Sequence, residues 1–466
     1  MVRNEMAQLE KKLKARHINM IAIGGSIGTG IFLASGYSIF IGGPGGALFA
    51  YALMAVIVYF LMTSLGEMST YKPSSGSFCD YSTTYVGKSF GFAMSYNYWF
   101  NWAITIAAEI SAAALVMSYW FPHVNPVYFS LAFFSMIFLV NLFSVKVYGE
   151  IEYWLSFLKV GVIIVFIILG AFTIFQQPHF GTQNWHIQDA PFHSGWYGFI
   201  SVFLFAGFSF QGTELIGVAS GETKDPEVTI PKSIKLVFWR LTLFYVLSIG
   251  VISLLLPFND PKLADQNNIS TSPYTLIFHK FAGMYAADAM NFIILVALIS
   301  AANASMYSSS RILWYMGQHG QTPAIFKHFN SKGVPIPALI ATALIGSLVF
   351  ISSFIGNGTF FSYIVQISSL CGFIAWFGIA LSHYQFRRKF LPALGGLSIL
   401  KYRAKFYPWA QIISMLVIVV IVAAQFITLG EHYGIWDFVM IYSSVILFAA
   451  IYLGHKIYIV RKNRAL

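Results

Sequence analysis

Ionisable and hydrogen-bonding side chains occur in this chain where the surrounding sequence is apolar. The run from 91 to 120 carries four of them at i, i+4, i+7 and i+11, a spacing that puts them on one helical face: Tyr98, Trp102, Thr105 and Glu109. An ionised carboxylate at membrane depth costs roughly 3 kcal/mol, so Glu109 needs a cavity, a cationic partner or a proton. The face predicts the wall of a binding cavity. A protonated, structurally hydrogen-bonded Glu109 and ordinary aromatic packing of Tyr98 and Trp102 are the alternatives.

Glycines interrupt the apolar run from 18 to 40. Four of them fall within seven residues, although glycine weakens a helix: Gly24, Gly25, Gly28 and Gly30. Irregular backbone survives in a membrane only where protein or a water-filled cavity covers it. The run therefore predicts a helix broken at mid-membrane, whose free amides suit a carboxylate. Close helix packing through Gly24 and Gly28 is the alternative.

A second apolar run, 196–219, is interrupted in the same way by Gly207, Gln211 and Gly212. Breaks in the first and sixth spans leave two halves of five spans, and an odd number of crossings inverts the second half. This is the inverted-repeat pattern of a secondary transporter, with its site where the breaks meet. Glu214 follows the second break, where it either faces a substrate ammonium or coupled proton, or caps the restarted half-helix.

Three further polar residues lie near the predicted path. Lys159 is about five residues inside the fifth span, where it either takes part in proton coupling or reaches the surface by snorkelling. Glu222 lies near the cytoplasmic mouth, where it either takes part in proton coupling or is a solvated loop charge. Asn303 belongs to a polar stripe that lines the path or joins two helices: Ser300, Asn303 and Tyr307.

The composition is that of a membrane protein: of 466 residues, 57% are hydrophobic and 10% are charged. Twelve spans are predicted, at 18–40, 45–65, 91–120, 126–144, 154–175, 196–219, 237–257, 286–310, 336–355, 359–382, 408–429 and 436–458. With the amino terminus inside, the 28 lysines and arginines all lie on cytoplasmic segments or at their span ends, except Lys159, Lys262 and Lys280. The positive-inside rule then predicts that both termini are cytoplasmic. The net charge of +11 therefore reflects membrane topology, and we expect no nucleic acid partner.

Sequence motifs of enzymes are absent. The chain has no H-E-x-x-H, no P-loop lysine and no nucleophile elbow, and no βαβ unit surrounds Gly28-Thr29-Gly30. Cys79 and Cys371 are too few for a disulfide or thiolate-metal framework. We therefore expect no enzymatic activity, no metal and no cofactor. The first apolar run is a full span without a small-residue cleavage site, so no removable signal is expected.

Three motifs narrow the interpretation further: Gly24-Gly-Ser-Ile-Gly-Thr-Gly30, Phe208-Ser-Phe-Gln-Gly-Thr-Glu-Leu-Ile-Gly217, and Gly221-Glu222 followed by Pro226 and Pro231. They resemble the bacterial amino acid permeases of the amino acid–polyamine–organocation superfamily, and the similarity covers nearly the whole chain. Within that group the sequence is most similar to the lysine-type permeases, through Leu13-Lys-Ala-Arg-His17, Tyr59-Phe-Leu-Met-Thr-Ser-Leu-Gly-Glu67, Asn97-Tyr-Trp-Phe-Asn-Trp102, Ser382-His-Tyr384 and Phe386-Arg-Arg388.

The resemblance implies an all-α, leucine-transporter-like fold of twelve transmembrane helices in the bacterial cytoplasmic membrane. Its parts are a cytoplasmic segment, two inverted five-helix repeats, two accessory helices and a cytoplasmic tail: 1–17, 18–175, 196–382, 408–458 and 459–466. It also implies proton-coupled import of an amino acid, with L-lysine expected. The alternatives are a permease for arginine, histidine or an aromatic amino acid, and a membrane lysine sensor that regulates a partner protein.

The resemblance also implies roles for individual residues. Amides of the first break would hold the substrate carboxylate, around Ser26, Gly28, Thr29 and Gly30. Carbonyls at Phe208 and Ser209 would take the α-amino group, with Phe208 closing over the site. Lys159 aligns with a lysine that occupies the place of a sodium ion in sodium-driven relatives. Lysine-type permeases match here at Tyr98, Trp102, Glu214 and Glu222, whereas Glu109 stands where they usually have Asp.

Overall fold

The computed structural model describes residues 26–74, 76–143, 145–220, 225–264, 272–331, 333–428 and 434–464. Within these ranges the chain is built of helices and connections, with no β-strand. The α-helices, numbered in chain order, are α1 Thr29–Phe32, α2 Ala34–Tyr71, α3 Ser77–Tyr81, α4 Lys88–Met117, α5 Pro126–Asn141, α6 Val145–Gln176, α7 Gly195–Phe210, α8 Leu215–Ala219, α9 Pro226–Leu255, α10 Pro261–Ala264, α11 Pro273–Ala282, α12 Met284–Gln318, α13 Ile336–Gly346, α14 Ser352–Ile355, α15 Asn357–Gln385, α16 Leu391–Ala393, α17 Trp409–Thr428 and α18 Ile435–Arg464. Shorter turns of 3₁₀- or π-helix are Ser82–Val86, Pro178–Trp185, Ala324–Lys327, Ser347–Ile351, Phe386–Phe390 and Gly396–Ile399. The all-helical prediction is confirmed for this part of the chain.

Hydrophobic length accounts for most of these helices. Nine helical stretches of the described chain are long and apolar enough to cross a membrane, and Pro126–Asn141 and Thr242–Leu255 are shorter apolar helices. One of the nine, α2, bends sharply at Gly43, which has φ +73° and is followed by Pro44. A positive φ favours glycine, and proline ends the preceding helical segment. The bend lies between the spans predicted at 18–40 and 45–65.

Both predicted interruptions contain irregular backbone. Ile27 and Gly28 are not helical, and α1 begins only at Thr29. Gly24 and Gly25, the other two glycines of that motif, lie outside the described residues. The helix predicted over 196–219 is broken between α7 and α8, where Gly212 has φ +94°.

The broken helices lie within the protein rather than at its edge. Helix α1 contacts α7, and α2 packs against α7 and α9. The buried helix α4 packs against α12 and α15, and carries the predicted polar face. By contrast, α18 exposes most of its length. Polar and irregular backbone is therefore covered by protein, as a membrane requires.

A buried ionic cluster ties the ends of three segments together. The Glu67 carboxylate accepts hydrogen bonds from Arg387 Nε at 2.6 Å and Nη2 at 2.5 Å, and from the backbone N–H of Ala404 at 2.6 Å. His383 Nε2 lies 3.0 Å from the same carboxylate. Glu67 and Arg387 belong to two of the motifs that carry the family resemblance. The cluster joins the end of α2 to the end of α15 and to the segment before α17.

Candidate substrate site at the two helix breaks

The two breaks are in direct backbone contact. A Cβ added to Gly30 would lie 2.5 Å from Cα of Ser209 and 2.7 Å from its Oγ. Real Cβ atoms essentially never approach another atom that closely, so this crossing requires glycine. Close approach of backbones is a reason for glycine in a membrane helix. Gly30 and Ser209, predicted separately as site residues, are therefore neighbours.

One tyrosine hydroxyl connects the carbonyl groups of both breaks. Tyr245 of α9 places its hydroxyl 2.8 Å from the carbonyl oxygen of Ser26 and 2.7 Å from that of Ser209, so its single hydrogen is shared between the two. Tyr51 of α2 shares a 3.0 Å hydrogen bond with the Ser209 hydroxyl, which itself donates to the Phe205 carbonyl. Neither tyrosine was predicted from the sequence, because neither stands out in a chain that is 18% aromatic.

The carboxylate of Glu109 lies on the first break. Thr29 donates its backbone N–H to the two carboxylate oxygens at 3.3 and 3.2 Å, and its hydroxyl to Oε2 at 2.7 Å. A Cβ on Gly28 would lie 2.7 Å from Oε1, so the carboxylate also covers that residue. Thr29 and Glu109 are buried. The backbone at Gly28 and Thr29, which was expected to bind the carboxylate of a substrate, thus contacts the carboxylate of Glu109.

Glu214 folds back over the second break. Both of its carboxylate oxygens accept from the backbone N–H of Gly212 at 3.2 Å. Tyr98 and Trp376 donate to the same group, each at 3.4 Å. The carboxylate thus binds the backbone of the break itself and makes no side-chain capping bond to α8, and it brings the predicted site residues Tyr98 and Glu214 together. All of these side chains are buried.

The predicted polar face of α4 is buried and contacts several elements. Tyr98 packs edge-to-face on Trp102, with ring centroids 6.1 Å apart, and on Phe78 at 4.6 Å. Thr105 shares a 3.0 Å hydrogen bond with the Ser368 hydroxyl of α15. Within the described residues, the buried indole N–H of Trp102 has no hydrogen-bond partner. The face therefore lies between the second break, α15 and the first break.

A buried amide network, not predicted from the sequence, fixes the second break. Asn101 donates its side-chain amide to Gln211 Oε1 at 3.1 Å, and Gln211 donates to the Ser368 carbonyl at 3.0 Å. The Ser368 hydroxyl closes the ring on Asn101 Oδ1 at 2.8 Å. Phe208, also predicted in the site, is buried, and its carbonyl accepts from the N–H of Gln211 at 3.2 Å. The network holds the interrupted backbone between α4 and α15.

Lys159 is buried at 1% exposure, which contradicts snorkelling to the membrane surface. Its Nζ lies 3.7 Å from Glu152 Oε1, one of two fully buried carboxylate oxygens. The Ser300 hydroxyl of α12 lies 3.0 and 2.9 Å from the Glu152 oxygens, and Ser156 donates at 3.4 Å. Glu152 was not predicted as a site residue, because it falls two residues before the predicted span 154–175. Glu152 lies seven residues before Lys159, and this spacing, which puts both on one helical face, could have identified it.

Asn303 does not join this arrangement. Asn303 accepts a 2.8 Å hydrogen bond from the Asn141 amide, which favours the helix-joining alternative, here between α12 and α5. Glu222 lies outside the described residues. The structure therefore brings together Gly28, Thr29 and Glu109 at the first break, and Ser209 and Glu214 at the second.

These features define a helical membrane protein in which two interrupted helices meet at a buried polar site. The sequence profile of the amino acid permease family matches residues 17–465. The chain belongs to this family of transporters.

Named relatives extend over almost the whole chain. It is 46% identical to the lysine-specific permease LysP of Escherichia coli (strain K12), over 97% of this chain and 94% of that protein. It is 43% identical to the lysine-specific permease LysP of Lactococcus lactis subsp. cremoris (strain MG1363), covering 96% and 90%. The histidine permease HisP of the same Lactococcus strain is 42% identical, covering 96% and 95%. The similar identities mean that substrate choice must be argued from the site.

Proposed function

We propose that this permease imports L-lysine together with protons. The observation that carries the proposal is the contact of the two broken helices, whose backbone amides and carbonyls match the two ends of an amino acid backbone. Similarity to two lysine-specific permeases supports the choice of lysine. Backbone dipoles and carboxyl groups supply the polar contacts among the described residues of the site.

The proposed architecture is leucine-transporter-like, with twelve membrane crossings. Helices occupy each predicted span from 45 onward, and the breaks at the first and sixth support two inverted repeats, 18–175 and 196–382. The peripheral α17 and α18 would be the accessory helices. The membrane would be the bacterial cytoplasmic membrane, with its lipid against the exposed apolar surface and with residues 1–17 and 459–466 inside.

Substrate binding is proposed at the backbone of both breaks. Amides from Ser26 to Gly30 would receive the α-carboxylate, and carbonyls at Phe208 and Ser209 would receive the α-amino group. The lysine ammonium would meet the aromatic faces of Tyr98 and Trp102 and the carboxylate of Glu214, since cations bind aromatic faces and carboxylates. Proton coupling is assigned to Lys159, with Glu214 and Glu222 on the proton path.

Counterflow in proteoliposomes tests this function. Vesicles loaded with unlabelled lysine should accumulate labelled lysine, and a full amino acid panel should rank lysine first. Cadaverine lacks the α-carboxylate and norleucine lacks the side-chain ammonium, so both should compete at least tenfold more weakly than lysine. Equal competition by cadaverine would reject carboxylate capture, and equal competition by norleucine would reject recognition of the side-chain cation. Counterflow of histidine or arginine without lysine would reassign the substrate.

The proposed orientation has its own prediction. Arg388 is exposed in the basic segment after α15, which the positive-inside rule places in the cytoplasm. Cys79 and Cys371 are buried free thiols, so background labelling should be low. An Arg388→Cys variant in intact cells should resist a membrane-impermeant maleimide and react after permeabilisation. Labelling of intact cells would reject the orientation, and an Asp260→Cys variant on the opposite side is the positive control.

A further inference from the structure

Side chains of the protein already occupy the polar backbone that an amino acid is proposed to contact. On the donor side, the Glu109 carboxylate accepts from the N–H and hydroxyl of Thr29 and covers Gly28. On the acceptor side, the Tyr245 hydroxyl shares its one hydrogen between the carbonyls of Ser26 and Ser209. The Glu109 carboxylate is the same chemical group as the α-carboxylate of a substrate. The Tyr245 hydroxyl, like an α-ammonium, is a hydrogen-bond donor to carbonyl oxygens.

Such contacts are needed whenever the site is empty. Backbone N–H and C=O groups buried without partners destabilise a structure, and a broken helix leaves several of them inside the protein. Water satisfies them while the site is open to one side, but closure excludes water. An empty protein that closes therefore requires internal partners for both breaks. Glu109 and Tyr245 are buried and come from α4 and α9, so each ties another helix to the breaks.

We propose that Glu109 and Tyr245 are internal stand-ins for the amino acid. In the empty protein they complete the backbone of the two breaks. A bound amino acid takes their place with its own carboxylate and ammonium. The stand-ins thereby stabilise the closed empty state through which the transporter must pass to return for another substrate. This inference rests on the proposed transport function and adds a role for two residues in one half of its cycle.

Two further observations fit replacement by a ligand. The indole N–H of Trp102, two turns before Glu109 on the same face, is buried without a partner among the described residues. A polar ligand between the breaks would supply an acceptor. Among the described residues, the Glu109 carboxylate accepts hydrogen bonds from the N–H and hydroxyl of Thr29, so release of this one residue exposes the backbone of the first break.

Net uptake and exchange separate this role from a structural one. Net uptake into empty vesicles requires the empty protein to return, whereas exchange between lysine-filled compartments uses only the loaded protein. Purified Glu109→Ala and Tyr245→Phe variants should lose net lysine uptake at least fivefold more than they lose lysine exchange. Their equilibrium affinity for lysine should stay level or rise, because an internal competitor is gone. Glu109→Gln keeps an acceptor of the same size and should show a smaller difference.

A matched control is Tyr442→Phe. Tyr442 also donates its hydroxyl to a backbone carbonyl, that of Val422 at 2.8 Å, but it joins α18 to α17 away from the breaks. Its ratio of net uptake to exchange should equal that of the wild type. Melting temperatures measured in detergent identify any variant that fails to fold.

The inference is overturned if exchange and net uptake fall by the same factor in both variants. It is also overturned if lysine affinity falls with them, since the residues would then bind substrate directly. Failure of the proposed function has a different signature, because wild-type vesicles would then exchange no lysine. In that case the same ratio, measured with the amino acid that the panel identifies, still tests the stand-ins.

Discussion

Replacing Gly30 by alanine is expected to abolish transport. The new methyl carbon would lie 2.5 Å from Cα of Ser209 and 2.7 Å from its hydroxyl oxygen, and backbone cannot move aside as a flexible side chain can. Overpacking of this kind costs about 1–3 kcal/mol when the structure can adjust. Here the adjustment would separate the two breaks and spread the amides and carbonyls that are proposed to hold the substrate. Initial rates of labelled lysine uptake should fall at least a hundredfold.

Gly161→Ala provides the matched control for this prediction. Gly161 also lies within a long apolar helix, α6, but an added Cβ would meet no atom within 4 Å. Alanine is favoured over glycine in helices by about 1 kcal/mol, so this variant should fold and transport normally. Substantial uptake by correctly inserted Gly30→Ala protein would show that contact between the breaks is not required for transport.

The positions of the helices along the chain were well predicted from the sequence, because the membrane thickness sets the length of an apolar span. A span needs about 20 apolar residues, so hydropathy alone located helices such as α4 within three residues of their observed ends. The breaks were equally visible, because two glycines and a glutamine within six residues, as at Gly207, Gln211 and Gly212, weaken an apolar helix. These features depend on local sequence, and local sequence was available.

The partners of the polar side chains were not predictable in the same way. The spacing of α4 placed Glu109 on a polar face, but its contact with Thr29 spans 80 residues of chain and depends on how α4 meets α1. Tyr245 could not be predicted, because nothing in the sequence distinguishes it from the other tyrosines among the 26 of the chain or indicates the two carbonyls that it contacts. Long-range packing decides such contacts, and a single sequence does not encode them as a pattern.

Glu152 lies between these two cases. It shares a helical face with Lys159 and was detectable by its spacing, but the predicted span began at 154 and excluded it. The helix in fact begins at Val145, so a carboxylate assigned to the cytoplasmic end is buried beside the lysine. A boundary error of a few residues concealed the counter-ion of the proposed coupling residue.

Lys159→Ala is expected to uncouple the transporter. We propose that the charged ammonium of Lys159 ties α6 to the broken first helix and to α12, which it approaches through Glu152 and Ser300. Loss of the ammonium proton would weaken this connection and let α6 move away from the broken first helix and α12. The outward-facing and inward-facing conformations would then differ in the protonation state of Lys159, as coupling requires. The variant should lose lysine accumulation driven by a proton gradient while it keeps at least part of its exchange activity.

Stability must be separated from coupling in this test, because Lys159→Ala leaves the Glu152 carboxylate buried without its ammonium. Breaking a buried ion pair on one side costs about 3–5 kcal/mol. The double variant Lys159→Ala with Glu152→Gln removes the leftover charge, and Gln still offers an acceptor to Ser300. We expect the double variant to regain most of the lost melting temperature and to exchange lysine, but not to accumulate it against a gradient. Uphill accumulation by the double variant would show that Lys159 stabilises the fold and that protons are coupled elsewhere.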